Sequence, residues 1–260
     1  MQTTLRKELT CRILFHYTVC TTSDYHKGFS FQINMIEEQV HFYTDNLKLE
    51  GVLTYHEDTT PASAILLCSP HPNLWGDMDN NLNTSIARTS AGMGFVSLRF
   101  NYRGVGNSDS YQKDTAQKFL YWESTMIGEN YGDAVIDTEV ALHFLISQAG
   151  RQSNIFIAGY SFGAIVGMRV GVKNNFVKAF AAISTPFGKY NLDFLDHYHK
   201  PKLFIYTKND FATPAEETLM GFLKMPIPKI LELIPESDHF YRQKEDEVSR
   251  KVGNFFLQYS

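Results

Sequence analysis

The sequence predicts a single α/β domain, with a mostly parallel, doubly wound sheet that begins with an antiparallel hairpin. Two observations favour this class. Short apolar runs of strand length alternate with longer segments of helical periodicity along residues 62–260. Several of the runs are apolar almost throughout, which is typical of strands buried on both faces of a parallel sheet. At 260 residues the chain is long enough to bury one large core.

The hairpin is predicted from two alternating stretches, residues 37–45 and 47–58, which a polar Asp45-Asn46 turn joins. The aromatic residues and cysteines before it follow neither the strand period nor the helix period. Residues 1–34 are therefore predicted to be an N-terminal extension of uncertain structure, and residues 35–260 the α/β domain.

Six apolar runs predict the later strands, and five periodic segments predict the helices between and after them. The predicted strands are residues 62–69, 95–102, 153–159, 177–184, 202–207 and 229–236. The predicted helices are residues 80–92, 128–149, 162–173, 214–225 and 242–259. In the second of these helices the apolar residues form one stripe, as expected for a helix packed on a sheet.

Composition and charge exclude several functional classes. A net charge of -4 leaves no basic surface that could neutralise phosphates, so nucleic acid is not an expected partner. No run approaches the roughly 18 apolar residues of a membrane span, and the N-terminal stretch is too short and mixed for a secretory signal. Cys11, Cys20 and Cys68 are an odd number, and Cys68 falls inside an apolar strand. We therefore expect no disulfide framework and a soluble, cytoplasmic protein.

Residues 159–163 read GYSFG and lie where a strand run passes directly into a helical pattern. Such a tight turn requires small residues beside Ser161, and glycine also tolerates a strained backbone. The hydroxyl would stand above the sheet edge, next to a helix N-terminus that favours developing negative charge. Ser161 is thus a candidate nucleophile, with the Phe162 amide as an oxyanion donor. Taken alone, the pattern is equally compatible with a serine N-cap between packing glycines.

A hydroxyl nucleophile needs a base and an acid that orients the base. Asp210 follows the strand at 202–207, and His239 follows the strand at 229–236. In a parallel sheet both loops meet Ser161 at the carboxyl edge, where ligands bind. The sequence therefore predicts a Ser161-Asp210-His239 catalytic triad.

Other acids and histidines offer alternatives. Asp238 is adjacent to the histidine in sequence, which makes it a poor orienting acid for that ring. Asp193 and Asp196 remain a second alternative for this role. His197 and His199 form an HxH pair without further ligands at helical spacing, so neither a metal nor another cofactor is expected.

The loop after the strand at 62–69 is bounded by prolines, because residues 69–72 read SPHP. Proline has no N–H to donate, which leaves the amides of Ser69 and His71. His71 stands where the chain turns away from the strand, so its backbone amide is predicted as the second oxyanion donor. Its imidazole is also a candidate pocket residue, although the prolines could serve only to fix the loop.

The serine elbow, Asp210, His239 and the segments PHPNLWGDMDNN and SLRFNYRGVGNSDS together resemble the α/β-hydrolase superfamily. More narrowly, they resemble a small bacterial-type subfamily with a His-Pro-His-Pro oxyanion loop, over about residues 37–257. Ser69 stands where that loop has its first histidine, which leaves the bracing role of that histidine open.

The resemblance implies an α/β-hydrolase fold and a serine hydrolase that works through an acyl-enzyme. Esters, thioesters and small amides, the last as in a serine aminopeptidase, are the expected small-molecule acyl substrates. Acyl transfer on the same triad and non-catalytic binding are the alternatives. No particular substrate is implied, because this fold hosts many activities.

In α/β-hydrolases the lid usually lies between the sixth and seventh strands, and here that interval is only residues 185–201. We therefore expect a minimal lid and an open cleft for a small or exposed acyl group. Its apolar wall is expected to come from aromatic residues, each of which also fits a core position: Trp75, Tyr160, Phe162, Phe187 and Phe240.

Arg103 lies in a GxG stretch that resembles part of a nucleotide-binding loop. The position of the third glycine is Asp109, and no helix begins there, so we expect no nucleotide site. Arg103 is predicted to pair with Asp109 rather than to attract an anionic substrate.

Overall fold

The computed structural model describes residues 34–58 and 62–260. Apart from Asn34, the predicted N-terminal extension lies outside the described residues, as do Cys11 and Cys20. The strands are β1 Met35–Thr44, β2 Leu47–His56, β3 Ser63–Cys68, β4 Val96–Phe100, β5 Asn154–Tyr160, β6 Val177–Ile183, β7 Lys202–Tyr206 and β8 Lys229–Leu233. The helices are α1 Asn81–Gly92, α2 Thr115–Glu123, α3 Gly132–Ala149, α4 Phe162–Lys173, α5 Ala215–Lys224 and α6 Glu245–Leu257.

The strands form one sheet in the order β1-β2-β4-β3-β5-β6-β7-β8. β1 and β2 make the predicted hairpin, with Thr44 opposite Leu47 and a left-handed backbone at Asp45. β2 also pairs with β4 in antiparallel fashion, and every later pair of neighbouring strands is parallel. The predicted fold class, a mostly parallel doubly wound sheet after an antiparallel hairpin, is confirmed.

Helices cover both faces of this sheet, and each face has its own apolar core. Helices α3 and α4 pack on one face, and α1 and α6 pack on the other. β3 shows why its run is apolar throughout: Leu66 belongs to the first core, whereas Ile65 and Leu67 belong to the second. Burial on both faces therefore explains the continuous apolar runs from which the strands were predicted.

The structure adds one α-helix that the sequence pattern did not predict, α2. Asp114 caps this helix, since its carboxylate accepts a hydrogen bond from the Gln117 N–H at 2.8 Å. Of the residues in α2 only Trp122 is buried, so the segment has no apolar stripe from which to recognise it. The Asp114 cap was the available sequence signal.

The connection between β6 and β7 is short, as the sequence indicates. Within it the structure places one 3-10 helix, Asp193–Leu195. No helix in the described part of the chain is long and apolar enough to cross a lipid bilayer.

Candidate active site

Ser161 lies directly between the last residue of β5 and the first residue of α4, with no intervening loop. Its φ is 54° and its ψ is -116°, a conformation that costs energy in a residue with a side chain. The Ser161 N–H donates to the Ile183 carbonyl at 2.8 Å, which fixes the turn on β6. The hydroxyl makes no capping hydrogen bond to α4, so the N-cap interpretation does not fit the structure.

The two glycines beside Ser161 are required by close backbone contacts. A Cβ atom at Gly159 would collide with the carbonyl group of Gly163. A Cβ atom at Gly163 would collide with the carbonyl group of Cys68 at the end of β3. Only glycine lets β5, α4 and β3 approach this closely, which is the steric reason for the GYSFG pattern.

Asp210 and His239 form a buried pair at the same sheet edge. Asp210 lies in the loop after β7 and His239 in the loop after β8. The His239 Nδ1 atom is 2.8 Å from Asp210 Oδ1 and 2.9 Å from Oδ2. The His239 side chain is 5% exposed and the Asp210 side chain 1% exposed. A carboxylate in this position holds the proton on Nδ1 and leaves Nε2 free to accept one.

The Asp210 carboxylate is itself held by three further donors. Oδ1 accepts hydrogen bonds from the N–H groups of Ala212 at 2.9 Å and Thr213 at 2.8 Å. Oδ2 accepts one from the Ser184 hydroxyl at 2.6 Å. Burial acts to raise the pKa of Asp210, but His239, Ser184 and Thr213 outweigh it and hold the pKa below its ordinary value. Asp210 is therefore an ionised acceptor at neutral pH.

Three side chains that the sequence did not assign to catalysis position this pair. Ser184 Oγ lies 2.7 Å from the Tyr241 hydroxyl oxygen, so a short hydrogen-bond chain runs from Asp210 to Tyr241. The Tyr160 hydroxyl donates to the His239 carbonyl at 2.6 Å. The one signal for Ser184 was its place as a polar residue at the end of a strand run.

Tyr160, which was expected in the apolar pocket wall or the core, packs beside His239, and its role as a wall residue stays a prediction. Its side chain is buried, and its ring centroid lies 5.4 Å from that of His239. Tyr160 directly precedes Ser161, so this ring contact links the serine elbow to the histidine loop.

A small cavity of about 20 Å³ lies at Ser161. Besides the elbow it is bordered by Ala212, two residues after Asp210, and by His71 after β3. The structure therefore brings together the segments that carry the predicted nucleophile, acid and oxyanion donor. The residues that line the cavity are His71, Leu74, Met126, Ser161, Phe162, Pro186, Lys189, Tyr190 and Ala212.

Backbone N–H groups at this cavity are available to an anionic oxygen. Phe162 is the first residue of α4, where an N–H has no acceptor within the helix. Within the described residues the N–H of His71 donates no hydrogen bond. The two residues lie against each other, with ring centroids 5.1 Å apart. Their amides are chemically suited to the oxyanion role that the sequence predicts.

The His71 imidazole fixes the proline-bounded loop. Its Nε2 lies 3.0 Å from the Trp122 carbonyl oxygen and 2.9 Å from Thr125 Oγ1, while Nδ1 accepts from the Asn73 N–H at 3.2 Å. This pattern requires the proton on Nε2. Burial lowers the pKa of His71 to about 4, with a smaller lowering from the charge of Lys189. The ring is thus neutral at pH 7 and joins the loop to the end of α2.

Ser69 braces the same loop from the other side. Its hydroxyl accepts a hydrogen bond from Asn83 Nδ2 at 3.0 Å and donates to the Phe100 carbonyl at 3.4 Å. Its own carbonyl accepts from the Tyr102 hydroxyl at 3.3 Å. Ser69 therefore connects the loop to α1 and β4.

The alternative acids do not reach His239. Asp238 accepts a hydrogen bond from the Phe240 N–H at 2.9 Å and so closes its own turn. Asp193 and Asp196 line a separate cavity of about 380 Å³. No group of three or more metal-ligating side chains exists among the described residues, and His197 and His199 belong to none.

The other predicted wall residues are only partly at the site. Phe240 packs beside His239, with ring centroids 5.8 Å apart. Phe187 lines the larger cavity and Trp75 is 86% exposed, and a wall role for either residue stays a prediction. The actual wall includes Leu74 and Tyr190, which no sequence pattern identified, because loop packing rather than periodicity places them there.

Arg103 pairs with α3 and not with Asp109, which corrects the predicted partner. Its guanidinium lies 2.7 Å from Asp137 and 3.0 Å from Asp133. Asp109 instead accepts a hydrogen bond from the Lys48 N–H at 2.9 Å. Because Asp137 is fully buried on α3, the pair serves to join the loop after β4 to that helix.

Comparisons with known proteins agree with the architecture. No family model matches the sequence. An uncharacterized protein of Rickettsia prowazekii is 28% identical over 228 residues, which is 84% of this chain and 88% of that one. An α/β serine hydrolase homologue from Coxiella burnetii superposes with a TM-score of 0.69 at 21% identity, covering 84% of this chain and 96% of that chain.

A Xanthomonas campestris protein, described as an α/β serine hydrolase without a lid, also has a TM-score of 0.69. It is 18% identical, over 86% of this chain and 94% of that chain. At these identities the likeness concerns the fold. The chain therefore has the α/β-hydrolase fold.

Proposed function

We propose that this protein is a serine hydrolase that cleaves a carboxylic ester, thioester or small amide through an acyl-enzyme. The observation that carries the proposal is the buried Asp210-His239 hydrogen bond, at the sheet edge where Ser161 is held in a strained turn. A buried ionised carboxylate costs free energy unless it is well paired, and a strained serine backbone costs free energy as well. Packing alone therefore explains neither feature.

The roles follow from the chemistry of each group. The Ser161 oxygen attacks the substrate carbonyl carbon while His239 Nε2 takes the hydroxyl proton. The carbonyl oxygen becomes an anion and accepts hydrogen bonds from the His71 and Phe162 amides. His239 then gives its proton to the leaving group, which departs and leaves an acyl-serine. Water then attacks the acyl carbon while His239 Nε2 takes a proton from it. The bond between that carbon and Ser161 Oγ breaks as His239 returns the proton to the serine oxygen, and the free acid leaves.

Asp210 acts on His239 and not on the substrate. While His239 carries two protons, the ionised carboxylate stabilises the imidazolium. Three donors besides His239 fix the carboxylate, so it does not need to reorganise during the reaction. This fixed pairing is the electrostatic basis for His239 as the base.

The shape of the site supports a small or partly exposed acyl group. The cavity at Ser161 is about 20 Å³, room for about one water molecule, so a substrate must lie partly outside it. The connection between β6 and β7 contains only a three-residue helix, and the Xanthomonas campestris structure is likewise described as lacking a lid. A deep tunnel for a long acyl chain does not fit these dimensions.

A fluorophosphonate probe followed by peptide mapping tests the proposal. Wild-type protein is expected to be labelled on Ser161, and Ser161→Ala protein is expected to stay unlabelled. Ser147→Ala is the matched control, because Ser147 is an exposed serine on α3. Labelling that persists at another residue in Ser161→Ala protein would overturn the assignment, and failure to label folded wild-type protein would favour a non-catalytic binding role.

Substrate class requires a second experiment. A set of 4-nitrophenyl esters of increasing chain length, run beside aminoacyl anilides, is expected to show activity that falls with acyl length. Product analysis with an added alcohol or amine separates hydrolysis from acyl transfer, which uses the same residues. Transfer products in excess of the free acid would identify an acyltransferase.

A further inference from the structure

One of the nine residues that line the cavity at Ser161 carries a charge at neutral pH, namely Lys189. His71 also lines it but is buried and neutral, because burial lowers its pKa to about 4. The rest of the wall is uncharged and includes Leu74, Met126 and Pro186. A single ammonium group in an otherwise uncharged wall is a recognition element for an anion.

Two backbone hydrogen bonds fix the position of Lys189 in the chain. The N–H donates to the Pro186 carbonyl at 3.1 Å, and the carbonyl accepts from the Gly128 N–H at 3.2 Å. In the part of the chain that the structure describes, the ammonium makes no ion pair or hydrogen bond. Lys251, by comparison, pairs with Glu232 at 2.8 Å.

Within the described residues Lys189 forms no ion pair, although the Glu217 carboxylate lies beside its neighbour Gly188. The acids closest along the lid connection, Asp193 and Asp196, line the larger cavity on the other side of Tyr190. Asp210 is already engaged by His239 and three other donors. The charge of Lys189 is nevertheless felt inside the site, since it contributes to the lowered pKa of His71.

We infer that Lys189 binds a carboxylate on the substrate, and that the preferred substrates are esters or thioesters with an anionic group a few bonds from the scissile carbonyl. This inference rests on the proposed function and adds a substrate class to it. Lys189 and Ser161 line the same small cavity, so an anion bound by Lys189 lies within a few bonds of the carbonyl that Ser161 attacks. Because Lys189 is exposed, the attraction is that of a solvent-facing ion pair and is weakened by salt.

Two matched ester pairs test which side of the scissile bond carries the anion. Monomethyl glutarate against methyl valerate places the carboxylate on the acyl side. 4-Acetoxybenzoate against its methyl ester places it on the leaving group. For each pair the ratio of kcat/KM values, anionic over neutral, is the measured quantity. Ratios above one in at least one pair are expected for the wild-type protein.

Lys189 variants separate charge recognition from general effects on the site. In Lys189→Met protein the ratio for the preferred pair is expected to fall about fivefold, the upper range for an exposed ion pair. Lys189→Arg retains most of the preference. Lys178→Met is the control, since Lys178 is exposed on β6 and lines neither cavity, and it should not change the ratio. Added salt should reduce the wild-type ratio by screening.

The outcomes are distinct from those for the proposed function. A ratio of one or less in both pairs, or a wild-type preference that survives in Lys189→Met, overturns this inference while leaving ester hydrolysis intact. If the protein is labelled on Ser161 but turns over neither pair, a competition experiment takes the place of the ratio. It measures how much glutarate, compared with pentanol, slows labelling of Ser161. Equal slowing by the two compounds overturns the inference about Lys189. Absence of both turnover and labelling contradicts the proposed function itself.

Discussion

Asp210→Asn is the most informative single change, because it keeps the loop while it removes the charge beside His239 and changes the hydrogen bond to its ring. Oδ1 of the asparagine can still accept from Ala212 and Thr213, which hold the aspartate at 2.9 Å and 2.8 Å. The amide NH₂ group would replace Oδ2, which now lies 2.9 Å from His239 Nδ1. An NH₂ group donates to Nδ1 and so favours the tautomer with the ring proton on Nε2, against the retained Oδ1, which lies 2.8 Å from Nδ1.

With a proton on Nε2, His239 cannot take the Ser161 proton. The expected loss in kcat is about 10⁴-fold, the scale seen when the same change is made in other serine-histidine-aspartate sites. That loss corresponds to about 5 kcal/mol of transition-state stabilisation. Stability should change far less, since the two backbone anchors remain.

Steady-state hydrolysis of a short 4-nitrophenyl ester measures the effect, and thermal unfolding followed by circular dichroism checks that the variant is folded. Asp238→Asn is the matched control, because Asp238 only accepts from the Phe240 N–H in its own turn. It should retain wild-type activity within a few-fold. The reasoning is refuted if Asp210→Asn remains within tenfold of wild type, or if Asp238→Asn is as damaged as Asp210→Asn.

Three further predictions concern stability, each measured by chemical denaturation. Gly163→Ala should lower the free energy of unfolding by about 2 kcal/mol or more, because its Cβ would meet the Cys68 carbonyl, whereas Gly92→Ala, with open space around it, should not lower it. Arg103→Met should cost about 3 kcal/mol by leaving buried Asp137 unpaired, and adding Asp137→Leu should recover most of the loss. Burial holds the pKa of His71 at about 4, below its unfolded value of about 6.5, so the folded state resists its protonation. The neutral ring therefore contributes fully to the free energy of unfolding above about pH 6.5, and roughly 3 kcal/mol should be lost as the pH falls towards 4. His71→Gln should weaken this acid dependence, and unchanged dependence would contradict the assignment.

The parts of the fold that the sequence predicts are those with a periodic cause. β3 and β5 are buried on both faces, so their apolar runs are continuous and easily recognised. The placement of Ser161, Asp210 and His239 at one sheet edge was predictable because each follows a strand of the parallel sheet, while their catalytic roles stay a prediction. Their order along the chain therefore carries spatial information.

Contacts between distant segments have no such signature. Arg103 has an acidic residue six positions away in Asp109, yet it pairs with Asp137 on α3, 34 residues along the chain. Ser184 reaches Asp210 across 26 residues. In both cases the partner is the buried carboxylate that needs a hydrogen-bond donor in the folded chain. Local sequence spacing does not specify which carboxylate that is.

Tyr160 is an intermediate case, because the alternation of side chains along β5 already predicts which face of the sheet its side chain lies on. The GYSFG motif draws attention only to Ser161 and the two glycines. Along β5, Phe156, Ala158 and Tyr160 share one face and belong to the core that α1 and α6 cover. Ile155 and Ile157 face the opposite core, beneath α3 and α4. Side chains two residues apart on a strand point the same way, so the residue before the nucleophile must point toward the side where α6 packs. The loop that carries His239 directly precedes α6, so the Tyr160 side chain is buried on the side of the sheet where it can hold His239.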